Sequence, residues 1–307
     1  MRAITYSEFG TPDVLTLTGL PEPRPGPDSV IVEMRAAGIN PVDWKARQGY
    51  LEGLIDTVFP AVPGWDIAGV VVRVGADAPE FEVGDEVYGY ARKDVLGGGT
   101  LAEQVAVPVR ALAHKPASVS FEQAAAVPLV GLTALRSVRR SHVGAGDNVL
   151  IHNGSGGVGG FAIQLARLAG ATVVATASPR NHEYLKSLGA TPIEYGECLA
   201  ERARAASPDG FDVILDFAGD GALDSTASVM RDGARVVSVA DGKAARRLGG
   251  VVVWVRPDAA GLTELARLID DGSLRVEVAR TYPLEAAADA YRELEAGHVR
   301  GKLVITP

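Results

Sequence analysis

A single cysteine, Cys198, stands among 307 residues. A lone thiol closes no disulfide within the chain and cannot furnish a multi-cysteine zinc site, so a reducing compartment is expected. A basic excess is missing as well. The formal charge is −8, and the pairs Arg139–Arg140 and Arg246–Arg247 are isolated and read as solvated surface. Nucleic-acid and anionic-membrane surfaces require clustered Lys and Arg, so neither partner is expected. No apolar run approaches the roughly 20 residues that span a bilayer, and the opening "MRAITYSEFG" lacks an apolar signal core. A cytoplasmic protein is the expectation. Internal repeats and low-complexity tracts are also lacking.

Apolar residues make up 47% of the chain, and its length exceeds what one hydrophobic core usually supports, so two domains are expected. The first third carries short alternating runs, "AITY", "SVIVEMRAAG", "AGVVVRVG", "DEVYGY" and "AEQVAVP", bounded by turn residues. It reads as a mostly β unit. From Asp147 the texture changes to continuous apolar strands, "NVLI", "TVVATA", "FDVILDFAG" and "ARVVSVA", that alternate with helical patterns. Strands without polar alternation are buried on both faces, as in a parallel sheet covered by helices. The fold class is therefore α/β, with a doubly wound parallel sheet in residues 120–255 and a β-rich domain in 1–119 completed by 256–307. The closing strand "GKLVITP" is expected to return to the first domain.

Gly154, Gly156 and Gly159 fit G-x-G-x-x-G in the context that weak pattern requires. A buried strand precedes them, and a helix follows with Val158, Phe161, Ala162, Leu165 and Leu168 on one face. One glycine is expected to make the tight turn, one to let a pyrophosphate approach, and one to let helix and strand pack closely. The phosphates would then rest on free N–H groups at a helix N-terminus. The alternative is a tight turn with no ligand. After "TVVATA" come Ser178, Pro179, Arg180 and Asn181, with no acid to meet ribose hydroxyls. That composition suits the 2′-phosphate of NADPH, unless Arg180 is only a surface cation.

"AAGINPVDWKARQG", "FPAVPGWDIAGVV", "VGDEVYG", "AAAVPLVGLTAL", "HNGSGGVGGFAIQLARLAGA" and "RGKLVITP" occur in order along essentially the whole chain. Together they resemble the zinc-independent quinone oxidoreductase branch of the medium-chain dehydrogenase/reductase superfamily. The resemblance implies a GroES-like catalytic β domain, a Rossmann domain, an active site in the cleft between them, and NADPH as hydride donor. It puts Asn40 and Thr133 near the nicotinamide, Gly154, Ser155, Gly156, Gly157 and Val158 on the pyrophosphate turn, and Ser178 and Arg180 on the 2′-phosphate. Tyr195 falls near the adenosine ribose, and Phe217, Ala218 and Gly219 end the strand under the ring. Asn40 also suits the cap of the helix that "VDWKARQ" begins, and Tyr195 suits ordinary loop packing.

The zinc-dependent members hold their metal with Cys, His and Cys, where this chain has Asn40 and Trp65 at two of the positions; Asp66 alone cannot replace four ligands. No metal is expected, and Trp65 and Asp66 are expected to pack and hydrogen-bond inside the β domain. The implied reaction is hydride transfer to a quinone or an α,β-unsaturated carbonyl. Tyr50 is the candidate proton donor; a rim aromatic that only shapes the pocket is the other reading. Two other classes share the pattern: an enoyl reductase or tailoring enzyme of a biosynthetic pathway, and a non-catalytic NADPH-binding protein. "VVVWV" reads as an edge strand that pairs across a homodimer axis, as is common in this branch.

Overall fold

The computed structural model describes residues 1–307, which form two compact units. The first comprises Met1–Leu129, Arg256–Gly272 and Val276–Pro307, and the second Val130–Val255 with Ser273–Arg275. The first boundary lies after Leu129 and not after residue 119 because the helix Phe121–Ala125 packs on the strands Ser29–Gly38 and Asp66–Val74. Gly38 permits that approach: a Cβ there would meet the Ala125 carbonyl oxygen at 2.3 Å. Ser273–Arg275 joins the second unit through buried Gln164, which accepts from the Arg275 N–H at 2.7 Å and donates to its carbonyl at 3.1 Å.

In the first unit, one sheet runs in the order Val278–Pro283, Lys302–Thr306, Ser29–Gly38, Asp66–Val74, Glu86–Tyr90, Leu112–His114, and Gln104–Pro108 also pairs with Ser29–Gly38. Its core gathers Val30, Val32, Met34, Ile67 and Val71 with Leu303 and Ile305 from the end of the chain. Helix α1, Pro41–Arg47, opens with proline at its first position, where no N–H is needed. The Asp43 carboxylate accepts from the Asn40 N–H at 2.8 Å, which secures this end of the helix. Arg47, the last residue of α1, is buried, donating from Nε to the Gly10 carbonyl at 3.0 Å and pairing with Glu295 at 2.7 Å.

The second unit contains strands β1 (Asn148–His152), β2 (Thr172–Thr176), β3 (Thr191–Ile193), β4 (Phe211–Asp216), β5 (Met230–Ser238) and β6 (Val251–Val252). All pairings are parallel, in the order β3-β2-β1-β4-β5-β6. The order reverses between β1 and β4, and ligands of such sheets bind beyond the carboxyl ends at that reversal. Helix α2, Gly157–Leu168, joins β1 to β2. Phe161, Ala162, Ile163, Leu165 and Ala166 are all buried, so α2 is covered on more than one face; Leu168, expected inside, is 51% exposed.

Candidate functional site

The turn between β1 and α2 departs from expectation in one respect. None of Gly154, Gly156 and Gly159 has a positive φ; the left-handed residue is Asn153, at +59°. Asn tolerates that region better than most side chains. The glycines serve close approach instead. A Cβ on Gly159 would sit 2.2 Å from the Asn153 carbonyl oxygen, and one on Gly154 would sit 2.8 Å from the Ala175 Cβ. A Cβ on Gly156 would meet only the Asn153 side chain, at 2.9 Å. Beyond Gly156, the N–H groups of Gly157, Val158 and Gly159 precede the first bond of α2, donated by Gly160 to the Gly156 carbonyl at 3.0 Å. They form the kind of donor cluster that binds phosphate, so these residues fit a dinucleotide.

Two asparagines tie the neighbouring strand ends to this turn. Asn153 donates its N–H to Thr176 Oγ1 at 2.9 Å and its amide to the Phe217 carbonyl at 3.2 Å, linking β1 to the ends of β2 and β4. Buried Asn181 donates to Ser155 Oγ at 3.2 Å and Ser178 Oγ at 3.4 Å, bringing together two predicted cofactor contacts. Arg180 beside it is exposed on the 3-10 turn Pro179–Asn181. Tyr195 is 51% exposed just after β3, and Thr133 is buried in the helix Pro128–Arg140.

At the end of β4, Asp216 takes the N–H groups of Ala218 and Gly219 on Oδ1, at 3.0 and 2.9 Å, and the Ser238 hydroxyl on Oδ2 at 2.7 Å. This carboxylate shapes the Phe217–Gly219 turn, where Gly219 has φ +74°. Beside it, His152 lies buried with Nε2 3.0 Å from Thr226 Oγ1. The Thr226 hydroxyl proton goes to the Ala222 carbonyl, so His152 Nε2 carries the hydrogen it donates. Burial pushes the imidazole down to about 4, with Asp216 partly opposing.

Asn40 and Tyr50 belong to the first unit. Asn40 is fully buried at the N-cap of α1. Its Nδ2 donates to Asp66 Oδ2 at 2.9 Å, and its Oδ1 accepts from Lys302 Nζ at 2.5 Å. Lys302 Nζ also donates to the Ile39 carbonyl and lies 3.7 Å from Asp66, whose Oδ1 accepts from the Leu129 N–H at 2.9 Å. Burial raises the Asp66 carboxyl to about 6 and lowers the Lys302 ammonium, each opposed by the other's charge. The network fixes which way the Asn40 amide faces. Trp65 packs edge-on against Tyr90, with ring centres 5.9 Å apart. Tyr50 is 70% exposed and presents to Trp44 at 6.3 Å, edge to face. No three His, Cys, Asp or Glu side chains gather as a metal site requires, and no helix is long and apolar enough to cross a membrane.

A 3-2-1-4-5-6 parallel sheet with a glycine-rich turn at its reversal, in one chain with a β-rich unit, is an architecture of dinucleotide-dependent oxidoreductases. The alcohol dehydrogenase GroES-like domain matches residues 26–117, and the zinc-binding dehydrogenase domain matches 188–305. The chain is 38% identical over 317 residues to the chloroplastic NADPH-dependent alkenal/one oxidoreductase of Arabidopsis thaliana, across all of this chain and 80% of that protein. It is 36% identical over 319 residues to the spectinabilin polyketide synthase system protein NorB of Streptomyces orinoci, across 97% of this chain and 14% of that protein. The quinone oxidoreductase structure from Coxiella burnetii matches with a TM-score of 0.89 at 34% identity, covering 100% of this chain and 99% of that one. The chain belongs to the quinone oxidoreductase branch of the medium-chain dehydrogenase/reductase superfamily, and it is an oxidoreductase that uses a nicotinamide cofactor.

Proposed function

We propose that the chain is an NADPH-dependent reductase of α,β-unsaturated carbonyls and quinones that works without a metal. The observation that carries this reading is the likeness of the whole of this chain to the alkenal/one oxidoreductase. The choice of NADPH rests on the tip of β2, where Ser178 and Arg180 stand and no acid does. The α2 donors and Ser155 hold the pyrophosphate, Asn181 keeps Ser155 and Ser178 in place, and Asn40, Thr133 and Phe217–Gly219 seat the nicotinamide. Tyr195 lies along the ribose. The bound cofactor supplies a hydride.

On an enone the hydride adds to the β-carbon, electrons move onto the carbonyl oxygen, and a proton then reaches the α-carbon. A quinone takes one hydride and one proton to become a hydroquinone. Tyr50, exposed on the turn after α1, delivers the proton. General acid catalysis contributes about 10²–10⁴-fold, so Tyr50→Phe should lower enone turnover by that factor and leave NADPH affinity intact. NADPH consumption with a panel of enones and quinones, before and after chelator treatment, tests the whole reading. Failure with every acceptor, or loss of activity together with one zinc per chain, would refute it.

The likeness to the polyketide synthase protein favours a second reading, an enoyl reductase of a biosynthetic pathway. Thioester enoyl substrates in the same panel separate the two. The reducing cytoplasm is the proposed location, which the single cysteine suits. The short parallel edge β6, with Val252 and Trp254 exposed, supports a homodimer; light scattering that gives a monomer mass would exclude it.

A further inference from the structure

The proposed hydride chemistry leaves the ammonium group of Lys93 unused. Lys93 lies in the first unit, between the strands Glu86–Tyr90 and Leu96–Gly98, and lines a cavity of about 20 Å³ with Tyr6, Val62, Trp65, Val95 and Leu96. Its Nζ makes neither an ion pair nor a hydrogen bond. Neighbouring Arg92 faces Asp94 at 3.7 Å. Asp43 is the only carboxylate in the lining; its Oδ2 accepts from the Asn40 N–H, its Oδ1 has no hydrogen-bond partner, and burial raises its carboxyl to about 7. Burial alone pushes the Lys93 ammonium below the ordinary lysine range, with no acidic group holding it up.

Glycine keeps room for this ammonium. A Cβ on Gly98 would lie 2.7 Å from Lys93 Nζ. Lys93 is partly exposed, and a partly desolvated charge with no counter-ion gains more from a bound anion than a fully exposed one does. The cavity is small: one water needs about 10–15 Å³, so about 20 Å³ seats little more than one carboxylate oxygen, the rest of the group lying at the mouth. Outside, Val58 and Val95 are exposed apolar side chains on and beside the paired strands Thr57–Val62 and Leu96–Gly98.

We propose that Lys93 is a specificity residue whose ammonium group binds the carboxylate of a small unsaturated carbonyl substrate, the carbon chain lying on Val58 and Val95. This inference rests on the enone reading and narrows its substrate class. The test compares acetylacrylic acid with its methyl ester, which share the enone and differ in charge. Calorimetry without turnover should show the acid binding about ten- to a hundredfold more tightly, the span of a charge-assisted hydrogen bond, and kcat/KM should follow. Lys93→Met should abolish the difference without moving the ester. Gly98→Ala keeps the charge, displaces the ammonium and should shrink the difference. Equal binding of acid and ester in the unaltered protein, or equal loss of both in Lys93→Met, overturns the assignment. If the acid is preferred in calorimetry and neither compound is reduced, the enone reading falls and the anion site stands.

Discussion

Replacing Lys302 by Met tests whether the buried network around Asn40 is held by charge. The side chains of Lys302 and Asp66 are 5% and 0% exposed, so the near-zero values of surface ion pairs do not apply. Removing one partner of a buried pair costs about 3–5 kcal/mol, because the other charge is left uncompensated. Lys302→Met should therefore destabilise the first unit by about that amount. Lys302→Met with Asp66→Asn leaves no lone charge at this pair and should recover part of the loss, giving a coupling of about 0.5–3 kcal/mol in a double-mutant cycle. The sign of the pH dependence follows from the carboxyls. Lys302 holds down both Asp66 and Asp43, which burial already raises to about 6 and 7. Without the ammonium both rise further above their unfolded values near 4, so the folded variant binds extra protons, and its stability falls as pH rises from about 4 through the raised values. The deficit against the unaltered protein should be smaller at about pH 5 than at about pH 8. Urea unfolding followed by tryptophan fluorescence reads it. Additive single losses, or a deficit that does not change with pH, would refute a charge-held network.

Arg180→Ala should weaken NADPH by roughly ten- to a hundredfold, since a charge-assisted contact contributes about 1.5–3 kcal/mol, and should barely move NADH; binding titrations with both cofactors check this, and equal weakening would make Arg180 structural. His152 is neutral in the fold down to about 4, so the unfolded chain binds the extra proton between about 4 and 6.5. The second unit should lose about 2 kcal/mol between pH 7 and pH 5 through this group. His152→Gln should remove that slope in urea melts, and an unchanged slope would show that the imidazole is not the cause.

What was legible in the sequence was local. The change from alternating to continuous apolar strands marks the passage from β unit to parallel sheet, and a strand, three glycines and a helical period mark the dinucleotide turn because close approach leaves room for no side chain. Within that turn the left-handed position is not legible. Asn153 takes it, and the sequence does not mark it, because glycine adopts that conformation more easily and glycines stand close by. In the sequence Asn181 stands out only as part of the loop composition, whereas its bonds to Ser155 and Ser178 join residues from two different turns. Leu168 fits the helical period yet stands in water: the last turn of α2 extends beyond what its neighbours cover.

The Lys302–Asn40 contact was not legible because it is made by sheet register. Val304 pairs with Gly38 and Ile305 with Ala37 in an antiparallel ladder. Continued two residues, that register sets Lys302 opposite Asn40, and the Ile39 N–H bonds the Leu303 carbonyl at 3.2 Å where the ladder would run on. A slip of one residue would turn Lys302 to the other face of the sheet and leave Asp66 buried without its cation. The apolar alternation of "LVIT" constrains the register from one side: Leu303 and Ile305 both join the first unit's core, and a slip would take them out of it. Core packing and the buried charges thus specify the same register, and the direction of the Asn40 amide is fixed by the last strand of the chain.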